Sequence, residues 1–340
     1  MSLRARLFAA IVAAAAIAAA AVAFPLYFGA DRLIEEAGDR ELATYRAKLD
    51  SALSAEVRRA LGLAELVARQ PGVGAAFAAG DHDRLAAMFG PGFEAMKAEH
   101  GVAQFQFHLP PATSFRRIHR LDKHGDDLSG FRATVVEANQ TRRAVHGLER
   151  GRGGLGVRAV QPVFHEGAHV GTVEFGLAFG EAFFRSLAAE SGREAEFYLF
   201  PNEDVATFSA EDAAQSRQAT TVETDPLLAG DVLGRVRAGE IVPTRREFGG
   251  ARFVGLAIPI LDYSGRVAGA AHLLSSTESL RATSAEMRDL ALAAGAGALM
   301  LAAILASLFS RWMGVRLGAI STRMDALAGG DHETPIEGAD

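Results

Sequence analysis

The chain has 340 residues and a formal net charge of −6, so it exceeds one ordinary hydrophobic core and lacks the basic excess of a general nucleic-acid binder. It contains no cysteine, which excludes a disulfide framework, a thiolate metal site and a cysteine nucleophile, and leaves the redox compartment open.

Residues 7–30 and 290–310 carry no charged side chain, and each run is long enough for the roughly 20 residues of a membrane-spanning helix. A cleaved signal peptide is the competing reading of the first run, with cleavage near residues 20–23. Arg4 and Arg6 precede the first run and Arg311, Arg316 and Arg323 follow the second, whereas Asp31, Glu35 and Glu36 lie just past the first. Basic residues stay on the cytoplasmic side, so both termini are expected there, with one large module between them outside the inner membrane.

After residue 31, Leu42, Tyr45, Leu49, Leu53 and Val57 recur at three- and four-residue spacing and predict a helix continuing outward. Pro71 and Gly72 interrupt it, and residues 83–100 read as a second, shorter helix. At Val102 the period changes: Gln104, Gln106 and His108 alternate with Phe105 and Phe107, as in a half-buried strand that Pro110 and Pro111 end. Residues 114–120 predict a strand, 131–140 a helix, and 144–149, 157–164 and 170–177 three more strands. A connecting helix over 180–190 leads to a smaller sheet from residues 194–200, 246–248, 252–260 and 267–274. This is an α+β pattern, unlike the regular alternation of a parallel sheet. Residues 276–289 then read as a helix entering the second apolar run.

Beyond that run Leu317, Ile320, Met324 and Leu327 fit the seam of a short parallel coiled coil, broken by Gly329, Gly330 and Asp331. Residue 340 is reached without a recognisable output domain.

Two motif matches fail on context. His165-Glu166-Gly167-Ala168-His169 spells H-E-x-x-H, but zinc chemistry needs both histidines on one helical face, and here a turn between strands is expected. Gly151, Gly153 and Gly156 match G-x-G-x-x-G, yet a strand containing Pro162 follows instead of a helix. No metal or cofactor is implied.

The segments 110–119 (PPATSFRRIH), 125–132 (GDDLSGFR), 147–158 (GLERGRGGLGVR) and 170–176 (VGTVEFG), in this order, resemble the double Cache sensor modules of chemoreceptors and sensor kinases. The resemblance implies two PAS-like antiparallel sheets of about five strands on a long N-terminal helix, between two membrane helices. It implies a small ligand in a membrane-distal domain (101–180), a membrane-proximal domain (181–275), a preceding helical segment (31–100), parallel homodimers and helix displacement through the membrane. Residues 311–340 resemble the start of a HAMP relay, without its usual proline. The expected function is a receptor passing a ligand signal to downstream proteins, with chemotaxis as the leading output. A kinase or cyclase input module and a membrane-anchored periplasmic hydrolase are the alternatives.

Strand alternation places Phe115, Arg117 and His119 on one face of the 114–120 strand. An arginine between an aromatic ring and an imidazole suits a small carboxylate, an organic anion held by charge-assisted hydrogen bonds. Arg158 is the expected second cation and His108 the residue completing the pocket. Arg117 and Arg158 can equally be buried partners of Glu149 or Glu174, and Asp126 and Asp127 are expected to cap or turn the chain.

Overall fold

The apolar stripe through Tyr45 and Leu49 builds the first helix, α1 (Leu3–Ala68), which ends just before Pro71 and Gly72. The structure, a computed structural model, describes residues 3–151, 154–201 and 215–329. Gly153 of the glycine motif, and residues 330–340 of the expected relay, lie outside them.

The chain forms two units, Met1–Ala37 with Glu278–Asp340, and Gly38–Thr277. In the second unit α1 is followed by α2 (Val73–Ala78), which the sequence pattern did not predict, and α3 (His82–His100). The side chain of Asp81 caps α3 by accepting from the Arg84 N–H at 2.9 Å.

The first sheet comprises β1 (Val102–Leu109), β2 (Thr113–Arg117), β3 (Val145–Gly151), β4 (Gly154–His165) and β5 (Ala168–Ala178), with α4 (Ala133–Thr141) between β2 and β3. Its order is β2-β1-β5-β4-β3, and the pairings are antiparallel. After α5 (Glu181–Ser191) the second sheet repeats this plan: β6 (Glu194–Leu199), β7 (Arg217–Thr220), α6 (Gly230–Arg237), β8 (Val242–Phe248), β9 (Ala251–Leu261) and β10 (Val267–Ser276), in the order β7-β6-β10-β9-β8. Two antiparallel sheets are observed as expected, but the second, read from the sequence as a smaller sheet of four strands, has five; β7 and α6 were not read from the sequence.

Glu166 (φ 49°) and Gly167 (φ 80°) form a two-residue β4–β5 turn with both central residues left-handed, matching the twist of the strands it joins. His165 pairs with Ala168 and Phe164 with His169, so the H-E-x-x-H residues flank a hairpin turn and lie on no helix.

One apolar cluster runs from α1 through both sheets, including Tyr45, Leu49, Phe105, Phe107, Phe175, Phe197 and Leu273. Phe105 and Phe175 face each other across β1 and β5 with ring centroids 4.3 Å apart. The opposite face of the second sheet is filled by Tyr198, Leu228, Leu233, Val236, Val242, Ala257 and Ala270, partly from α6. Beside them Glu196 accepts from His272 Nδ1 at 3.0 Å, and His272 Nε2 meets Thr244 Oγ1 at 2.8 Å.

The other unit contains α7 (Glu278–Ala328). Among the described residues one stretch, Arg281–Thr322 in α7, has the length and composition of a membrane span, whereas the apolar stretch Phe8–Ala21 of α1 is shorter. Two spans were expected, and one is found.

Candidate functional site

β1 separates two chemistries by alternation. Phe105 and Phe107 turn to the helix side, where Phe107 meets Phe77 of α2, and Gln104, Gln106 and His108 turn to the other face. Neighbouring strands add Glu174 opposite Gln106, Gly176 opposite Gln104, and Arg158 opposite Gly176.

β2 departs from simple alternation. Gln106 pairs with Arg117, Phe107 with Arg116, and His108 with Ser114, so an extra residue is accommodated between Arg116 and Ser114. Phe115 therefore stacks on Phe77 at 4.9 Å, and Arg116 reaches Asp83 of α3 at 3.4 Å. The expectation that Phe115 shares a face with Arg117 is corrected by this bulge. Phe115 belongs to the helix-side core.

Arg117 keeps the predicted orientation. Its guanidinium pairs with Asp126 at 2.7 Å and donates to the Lys123 carbonyl at 3.2 Å. It thereby ties β2 to the loop over residues 118–132, which returns to the strand through Ser114 N–H to Asp126 O (2.9 Å) and Leu128 N–H to Ala112 O (2.9 Å). Asp127 turns the chain as expected, accepting from the Ser129 N–H at 2.9 Å.

Between this loop and the sheet lies a cavity of about 480 Å³, walled by Arg117, His119, Arg120, Lys123, His124, Asp122, Asp126, Leu128 and Phe131, with Gln104, Gln106 and Arg132 on its sheet side. His119 Nδ1 is 3.0 Å from the Phe105 carbonyl oxygen, and burial lowers its pKa.

Beneath the cavity is a buried ionic floor. Arg132, just ahead of α4, donates from Nε to Glu149 at 2.9 Å and from Nη2 to Glu174. Glu149 also accepts from the Thr134 N–H at 2.8 Å and its hydroxyl at 2.7 Å, fixing the first turn of α4. Gln106 Nε2 donates to Glu174 at 2.9 Å, and Arg158 Nη1 donates to Gln104 Oε1 at 2.7 Å while lying 3.6 Å from Glu174.

Burial pushes the Glu174 pKa up, but Arg132 and then Arg158 outweigh it and hold the carboxyl at about 2. Burial, reinforced by Arg132, lowers Arg158 to about 10. His108 is fully buried 3.4 Å from Glu174, and burial drives it to about 3 despite that carboxylate.

Of the predicted site residues, then, Arg117 and His119 wall the cavity. Arg158 does not converge with Arg117, because the Gln104 amide stands before it and Glu174 behind; it is the buried carboxylate partner that the sequence also allowed. His108 sits under α4 near Thr172, away from the cavity wall. Gln104, Gln106, Lys123 and Arg132 also line the cavity without having been singled out in the sequence, and Arg120, read there as a solvated surface charge, is exposed at its edge. The polar-apolar alternation of β1 carried a signal for the two glutamines, and a lone glutamate between Val173 and Phe175 one for the buried floor. Among the described residues, no group of three or more histidine, aspartate or glutamate side chains is placed to hold a metal ion.

Residues 38–280 match the dCache_3 family, the double sensory domain of two-component sensor kinases. The chain belongs to this family of Cache sensors, and its module serves signal transduction as a sensory domain and not as an enzyme. No curated protein sequence matches it. Similar solved structures include the ligand-binding domain of the Campylobacter jejuni chemoreceptor Tlp3 with 4-methylisoleucine (11% identity, 75% of this chain and 94% of that one, TM-score 0.46). The sensor domain of the V. cholerae histidine kinase DctB (13%, 72% and 98%, TM-score 0.44) and the periplasmic domain of Vibrio cholerae LuxQ (10%, 70% and 99%, TM-score 0.41) are others.

Proposed function

We propose that the chain is a transmembrane receptor whose first sheet binds a small organic anion in the cavity beneath the 118–132 loop. The observation that carries this reading is the cavity wall: Arg117 is paired with Asp126, while Arg120 and Lys123 have no carboxylate partner among the described residues. Two uncommitted cations suit a carboxylate. The second sheet's corresponding face is closed by Tyr198, Leu228 and Leu233, which supports the first domain as the ligand site.

In this reading the module is periplasmic, the 101–180 domain is membrane-distal and the 181–275 domain membrane-proximal. Residues 7–30 and 290–310 cross the inner membrane, the receptor is a parallel dimer, and α7 carries the signal to a HAMP-like relay and a downstream output. The family's description favours a sensor kinase, and chemotaxis is the second output.

Thermal melting of the detergent-solubilised chain against a panel of organic anions tests the proposal. A ligand at 100 times its Kd stabilises by about 2.7 kcal/mol. The expected result is stabilisation by at least one anion, lost in the double variant Arg120→Ala, Lys123→Ala. Stabilisation only by neutral or cationic compounds would overturn it.

A further inference from the structure

Arg158 can only donate hydrogen bonds and Glu174, ionised at neutral pH, can only accept them. The side chain of Gln104 must therefore turn its oxygen toward Arg158, which it meets at 2.7 Å, and that of Gln106 must turn its nitrogen toward Glu174, at 2.9 Å. Each amide has one atom left over: Gln104 its Nε2 group, a donor, and Gln106 its Oε1, an acceptor. Neither has a protein partner among the described residues, and both glutamines line the cavity. The two positions lie two residues apart on one face of β1, about 7 Å along the strand.

We propose that Gln104 and Gln106 are specificity-determining residues, and that they select a ligand whose far end is an uncharged carboxamide, ureide or lactam. This rests on the cavity being the site of an organic anion, whose charged end faces Arg120 and Lys123. At the floor, a C=O accepts from Gln104 and an adjacent N–H donates to Gln106. The ions of the floor compensate one another, Arg132 with Glu149 and Glu174 and Arg158 with Glu174, so the floor offers no unpaired counter-charge to a second carboxylate or to an ammonium. A carboxylate would also face the Gln106 carbonyl oxygen, and an ammonium the Gln104 amide donor. Because the buried ions fix both amides, neither can turn over to suit a ligand of opposite polarity without losing a charge-assisted bond.

The test uses the full chain in detergent and three four-carbon probes: succinamate, succinate and butyrate, which share a carboxylate and differ at the far end. Titration calorimetry should show succinamate binding about tenfold or more tightly than the other two, and Gln104→Met and Gln106→Met should each shrink that preference to about threefold or less. Melting without ligand confirms folding, and the half-buried Gln104 keeps the test valid should Gln106→Met unfold. Equal affinity for the three probes, lost in Arg120→Ala, Lys123→Ala, would overturn the amide selection and leave the anion site standing. Binding untouched by any of these variants would overturn both. Absence of binding by all three probes would also overturn the amide selection.

Discussion

Arg132 and Glu174 meet beneath the cavity from two directions, one from the end of the covering loop and the other from the centre of the first sheet. Both are almost fully buried, and Glu149 occupies the other side of the guanidinium at 2.9 Å. Arg132 thus fastens the C-terminal end of the loop to the sheet while Arg117 fastens its middle through Asp126. The two arginines add side-chain ties to the backbone bonds that join Asp126 to Ser114 and Leu128 to Ala112.

Removing Arg132 leaves two buried carboxylates without their main counter-charge. Breaking one partner of such a pair costs about 3–5 kcal/mol. Arg132→Ala should therefore lower the Tm of the module by about 10 °C, and Arg132→Met with Glu174→Met should recover part of it. Melting by circular dichroism checks this. A Tm within about 2 °C of wild type for Arg132→Ala would show that the pair contributes nothing net.

Acid should destabilise the module in two stages. Burial holds His108 at about 3 against an ordinary 6.5, so below about pH 6.5 the unfolded chain takes a proton that the folded chain refuses. Its contribution is full above pH 6.5 and is lost as the pH falls toward 3. Despite the upward push of burial, Glu174 is held by Arg132 and Arg158 at about 2 against 4.5, so its contribution is full above 4.5 and is lost toward 2. Urea midpoints at pH 7.5, 5.5 and 4 should fall steadily, and His108→Gln should flatten the first step. An unchanged slope in that variant would assign the effect to other groups.

Much of the fold is legible locally. Alternation over residues 102–108 found β1, and Glu166-Gly167 marked a turn whose left-handed backbone favours glycine. The face of Phe115 was not legible, because parity holds along a strand only until a bulge adds a residue, and the partners of the bulged segment, Phe77 and Asp83, lie on helices outside the strand. Arg158 illustrates the same limit for charge: its neighbours Gln104 and Glu174 come from strands 54 and 16 residues away by the difference of their numbers, and only the sheet brings them together. β7 and α6 were missed because residues 217–220 and 230–237 are short and rich in polar side chains.

Gly176 is a backbone position that the floor requires to be small. A Cβ there would collide with Arg158 Nη1 and come within 3.1 Å of the Gln104 Cβ. Gly176→Ala should cost about 1–3 kcal/mol by overpacking and weaken ligand binding by displacing the Gln104 amide. Urea unfolding and ligand titration of this variant measure the two effects, and wild-type values in both would place Arg158 elsewhere in solution.

The proposed topology makes a direct prediction for Gly230, at the start of α6 within the sensory module. A periplasm-active reporter fused there should be active, and a cytoplasm-active reporter silent. The opposite pattern would remove the receptor reading, since the cavity would then face the cytoplasm.

Arg117 and Arg158, the two cations that the sequence singled out, should now behave differently. The Arg158 side chain is 4% exposed, between Gln104 and Glu174, so replacing it with alanine removes a counter-charge from a buried carboxylate. Arg158→Ala should lower the Tm with or without ligand, by a loss of about 3 kcal/mol or more. Arg117, itself 11% exposed, pairs instead with Asp126, whose side chain is 38% exposed, so removing the arginine leaves a carboxylate that solvent can reach. Arg117→Ala should therefore lower the unliganded Tm by clearly less than Arg158→Ala does. Its loss frees the loop and takes a cation from the cavity wall, so the affinity for any organic anion that stabilises the wild type should fall about tenfold to a hundredfold. Calorimetry and melting of both variants give the two readouts. If Arg158→Ala kept its stability and lost only binding, while Arg117→Ala unfolded, the assignment of scaffold and site to these two arginines would have to be exchanged.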